Sequence, residues 1–138
     1  MIARAFREAA LLALLAAIPA AVTGVQQLKT RQEAPLAEGE VRVAEAKGWG
    51  ESAVWVDARS RAKYEVRHIP RAVLLNEEEW DALVPDFLDV WSPEKKIVVY
   101  GDRVGDAAAT IALRLREDLK VENVSVLQGG FEAWRRPQ

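Results

Sequence analysis

The 138-residue chain contains no cysteine. That absence excludes disulfides, thiolate metal sites and cysteine nucleophiles together. It leaves the redox compartment open, because a chain without thiols is indifferent to it. There is one histidine and one methionine, so a histidine-rich metal site is excluded and any metal would have to be held by carboxylates. An excess of positive charge is also missing, with 19 basic residues against 21 acidic. Nucleic acid, which requires a basic face, is therefore not expected as a partner. From Gly39 onward the balance is 15 basic to 18 acidic residues, so net charge does not draw this part to anionic lipid. What is present is a chain that is half apolar and carries five tryptophans, enough for the core of one domain but not two.

The N-terminus holds a charge-free apolar run, residues 9–25, with Arg4 and Arg7 before it and Lys29 and Arg31 after it. Its length sits at the lower limit of about 17 residues for a membrane helix. Three readings stand side by side: an uncleaved anchor, a cleavable signal peptide built on Leu11 to Ile18, and a helix buried in the domain. No clear small-x-small cleavage site follows, which favours the anchor. Basic residues flank both ends equally, and the α-amino group adds to the N-terminal side, so the domain is expected outside the cytoplasm. Small residues recur at four-residue spacing (Ala9, Ala13, Ala17, Ala21), the pattern that lets membrane helices pair, so a homodimer through the anchor is one expectation. The resulting division is a membrane anchor or signal segment over 1–27, a polar linker over 28–39 and a domain over 40–138.

Within the domain, short apolar runs alternate with amphipathic stretches. Val41 to Lys47 reads as a helix ended by Gly48 and Gly50. Ala53 to Val56, Val73 to Leu75, Ile97 to Tyr100 and Val124 to Leu127 read as buried strands. Glu77 to Trp91 has helical periodicity (Trp80, Leu83, Val84, Phe87, Leu88, Trp91), with a break expected at Pro85. Asp106 is expected to cap a helix reaching Leu119, and Phe131 to Trp134 to open a last short one. The alternation predicts an α/β fold, a parallel sheet flanked by helices. In such sheets ligands bind beyond the carboxyl ends of the strands, here Asp57, Tyr100-Gly101 and Gly129-Gly130.

Three segments, in order, resemble the rhodanese-like family. The first is Val56-Asp57-Ala58-Arg59-Ser60 with Tyr64 and His68-Ile69-Pro70-Arg71-Ala72. The second is the strand Ile97 to Tyr100. The third is Asn123 to Leu127 followed by Gly129-Gly130-Phe131-Glu132-Ala133-Trp134. The resemblance covers about residues 40 to 136. It implies that a cysteine should follow the Val-Val-Tyr strand and hold sulfur as a persulfide, within a loop whose N–H groups point at the anion. The residue at that position is Gly101. The binding loop implied by the resemblance is Gly101, Asp102, Arg103, Val104, Gly105 and Asp106, with Asp57, Arg59 and His68 in support. Asp102 and Asp106 oppose an anion, by about 1 kcal/mol in water, and Arg103 offsets part of this. The residues themselves suggest structural roles for the support: Asp57 capping a turn, Arg59 pairing with a carboxylate, His68 satisfying backbone groups. Arg71 stands where the family pattern has glycine, so either the backbone differs there or the side chain lies over the surface.

These residues predict no catalytic side chain, cofactor or metal. The leading expectation is a single-pass, membrane-tethered, rhodanese-like module without sulfurtransferase activity that binds a protein partner or a small anion. The alternative is a non-thiol enzyme or metal-binding module using Asp102 and Asp106, with Asp57 as a third ligand.

Overall fold

The computed structural model describes residues 34–102 and 106–137. The apolar run 9–25 and the loop residues Arg103, Val104 and Gly105 lie outside the described residues. Among the described residues, no helix is long and apolar enough to cross a membrane.

The elements run β1 (Glu40–Val41), α1 (Val43–Gly48), a 3-10 turn (Gly50–Ser52), β2 (Ala53–Asp57), α2 (Arg61–Val66), β3 (Val73–Leu74), α3 (Trp80–Val90), β4 (Lys96–Tyr100), α4 (Ala107–Asp118), β5 (Val124–Leu127) and α5 (Gly130–Arg135). The strands form one sheet in the order β1-β5-β4-β2-β3. Every pairing is parallel, as the alternation of strands and helices predicts.

The central strand, β4, explains the apolar run in its sequence. Ile97 and Val99 join the core on one face, Val98 and Tyr100 the core on the other, and all four are fully buried. A strand covered on both sides has no polar positions to alternate with. Its neighbour β2 follows the same rule, with Val54 and Val56 on the first face and Ala53 and Trp55 against the second. On the first face α3 and α4 supply Leu83, Phe87, Ile111 and Leu115. On the second, α1 and α5 supply Val43, Ala46 and Phe131. Each such side chain contributes roughly 1.5–3 kcal/mol by leaving water.

Three local expectations, at Pro85, Asp106 and Val41 to Lys47, are corrected, and the alternative left open at Arg71 is decided. The helix containing Pro85 does not break; α3 runs from Trp80 to Val90 with the proline inside it. Pro85 and Asp81 are both exposed, so the carbonyl of Asp81 that loses its partner reaches water, while Trp80, Leu83 and Phe87 hold the opposite side in the core. Asp106 does not cap α4 with its side chain. Its φ of −98° and ψ of 0° lie outside the extended geometry that brings a carboxylate over the first-turn N–H groups; only its carbonyl engages, accepting from Thr110 N at 2.9 Å. Arg71 keeps the backbone of a glycine, with φ of +64°, and carries its side chain out to solvent. The segment expected to be wholly helical before Gly48 begins instead with β1, paired with β5. The helix α2 is additional, started by Ser60 Oγ accepting from Lys63 N at 3.4 Å.

Candidate functional site

The site is built at the carboxyl edge of the sheet. Parallel register places Asp57 opposite Tyr100, so the last residues of β2 and β4 end side by side. Asp57 is fully buried and fully engaged. It accepts from Arg59 N at 2.9 Å, from Arg59 Nε at 3.0 Å and Nη2 at 2.7 Å, and from the Tyr100 hydroxyl at 2.7 Å. Arg59 Nη2 also donates to the Arg67 carbonyl at 2.7 Å, and the Tyr100 hydroxyl accepts from Ile69 N at 3.1 Å. This one carboxylate therefore ties β2, β4 and the turn before β3 together. Burial works against the charge on Arg59, but the hydrogen bond and field of Asp57 outweigh it and raise the guanidinium pKa. Burial pushes the Tyr100 phenol far above its ordinary range, and its bond to the Asp57 carboxylate adds to the rise. The structural roles expected of Asp57 and Arg59 describe this arrangement.

His68 is not brought to the same place. Its Nδ1 lies 2.8 Å from the Tyr64 carbonyl, and its ring stacks on Tyr64 with centroids 3.9 Å apart. Tyr64 in turn donates its hydroxyl to the Ala72 carbonyl at 2.8 Å. The histidine thus holds α2 to the turn that follows it, the backbone-satisfying role its motif suggested.

Gly101 is buried directly after β4. A β-carbon there would meet Ala108 Cβ and Ala108 N at 3.5 Å, an ordinary contact. The position therefore has room for a β-carbon. Its carbonyl accepts from Phe131 N at 2.9 Å. Gly130 faces the loop with φ of +59°, and a β-carbon on it would fall 2.6 Å from the Gly101 oxygen and 2.5 Å from that of Asp102. The Gly129-Gly130 turn is thus the seat on which the start of the loop rests.

Beside the loop lies an open groove of about 460 Å³, lined by Arg59, Ala62, Lys63, Val66, Arg67, Asp102, Phe131, Glu132 and Arg135. Lys63 Nζ sits 2.6 Å from Asp102 Oδ2. The repulsion expected of Asp102 toward an anion is therefore offset by a lysine that sequence reasoning did not single out. Lys63, Arg67 and Arg135 were all missed, since single charges on short helices look like any solvated face. The spacing of Lys63 and Arg67, four apart after the Asp57-Ala58-Arg59-Ser60 segment, was the available signal. Phe131, read as core packing, is indeed buried, and it also lines the groove with its ring 4.1 Å from the Arg59 guanidinium carbon. Among the described residues, no group of three or more His, Asp or Glu side chains is placed to hold a metal ion.

A parallel α/β domain with its loop and groove beyond the ends of the central strands defines the class. The model of the Rhodanese-like domain matches residues 41–137, and the chain belongs to that family. A search of curated proteins finds no match. Among solved structures, the BH2092 protein of Bacillus halodurans is similar at 24% identity and a TM-score of 0.58, over 82% of this chain and 79% of that one. The Alr3790 protein of Anabaena is similar at 27% identity and a TM-score of 0.54, over 69% of this chain and 75% of that one. The RPA3614 protein of Rhodopseudomonas palustris, described as a possible tyrosine phosphatase, is similar at 25% identity and a TM-score of 0.52, over 70% of this chain and 78% of that one.

Proposed function

We propose that this rhodanese-like domain recognises a ligand and does not transfer sulfur. The observation that carries the reading is Gly101, at the position directly after β4 where the family resemblance implies a thiol, in a chain with no cysteine anywhere. A persulfide needs a thiolate to form on, and no other side chain here supplies one. The start of the loop, Gly101 and Asp102, rests on Gly130, and the Asp57–Arg59–Tyr100 network fixes the ends of the two central strands. Of the four cations lining the groove beside the loop, Arg59, Lys63 and Arg135 are paired with Asp57, Asp102 and Glu132, and an anionic small molecule or a partner's acidic group would bear first on the exposed Arg67. Tethering to a membrane through residues 9–25 is part of the same proposal, supported by a charge-free apolar run flanked by basic residues.

The metal-binding alternative has less to support it. Asp57 is occupied by Arg59 and Tyr100, and Asp102 by Lys63.

The test is a thiosulfate:cyanide assay on the purified full-length chain. Turnover equal to buffer is the expected result, and sustained turnover above it overturns the reading. A second arm introduces a thiol with Gly101→Cys, whose β-carbon makes only ordinary contacts. Little or no gain is expected, because Asp106 stands at the start of α4 without a lysine to offset it among the described residues.

A further inference from the structure

We draw no further inference here: the strongest candidate, the patch of half-buried tryptophans (Trp49, Trp55 and Trp134) on the side of the sheet covered by α1 and α5, packs against the core with Lys96 over the Trp49 ring and Lys47 over that of Trp134, and nothing in the structure shows what covers it.

Discussion

Arg71 holds a left-handed backbone at φ of +64°, a conformation that costs a side-chain-bearing residue roughly 1–2 kcal/mol relative to glycine. Little in its surroundings offsets this. Its ion pair with Glu51 spans 3.9 Å between side chains 79% and 91% exposed, and such a pair contributes almost nothing. Replacing Arg71 with glycine removes the strain but loosens the unfolded chain, which takes back part of the gain. Arg71→Gly is therefore expected to raise stability by about 0.5–1 kcal/mol, read from the urea midpoint at constant m-value. An unchanged or lower midpoint would mean that the arginine makes a compensating contact. The sequence flagged this position correctly as a departure from the family pattern. It could not say whether backbone or side chain would yield, because both answers satisfy the same steric rule.

At the scale of elements, the loop after β4 and the turn into α5 depend on one missing β-carbon. Adding a methyl group at Gly130 would press it to 2.5 Å from the Asp102 carbonyl and 2.6 Å from that of Gly101, in a backbone already at positive φ. Neither contact is the movable end of a side chain. Gly130→Ala is expected to destabilise the fold by about 2–3 kcal/mol. The same change should speed amide hydrogen exchange at Phe131, whose N–H donates to the Gly101 carbonyl. Exchange at the wild-type rate would show that the turn does not hold the loop.

The three longer strands were legible because buried parallel strands leave continuous apolar runs, as Lys96–Tyr100 shows, and the two-residue β3 because Val73 to Leu75 is such a run. The equally short β1 was not, since Glu40 and Val41 make no apolar run. The second helix was missed for a different reason. None of its residues is buried, so it has no apolar stripe, and it is held by the Ser60 cap and by Tyr64. Pro85 misled in the opposite direction. Its local penalty is real, but three core side chains on the same helix outweigh it. Of the candidate site, Asp57, Arg59 and Gly101 could be read from their motifs. The groove could not, because its lining comes from the segment around α2, from Asp102 after β4 and from α5, with α2 and α5 about 70 residues apart in sequence.

For the whole molecule, the buried Tyr100 hydroxyl joins the two central strands to the turn before β3, so its protonation bears on global stability. Its folded pKa lies above the unfolded value of about 10, raised by burial and by the Asp57 carboxylate. The native state thus keeps a proton that the unfolded chain releases. This contribution is complete below about pH 10 and is lost as pH rises above it toward the folded value. Stability should therefore fall with a steep slope in that alkaline range. Tyr100→Phe should lower stability at neutral pH by about 1–3 kcal/mol, because Asp57 and Ile69 N lose a partner, and should also flatten the alkaline slope. Tyr64, whose pKa burial also raises, will keep part of the slope in that variant. Chemical denaturation across pH 8 to about 11 measures both effects. An equally steep slope in the variant would assign the alkaline loss to other groups.

The exposure of Val66 has a practical use. Since the chain has no sulfhydryl of its own, Val66→Cys would create a unique attachment point at the lip of the groove, on a side chain that supports nothing in the core. A dye placed there would report occupancy directly, by a change in emission as an incoming molecule displaces water around it.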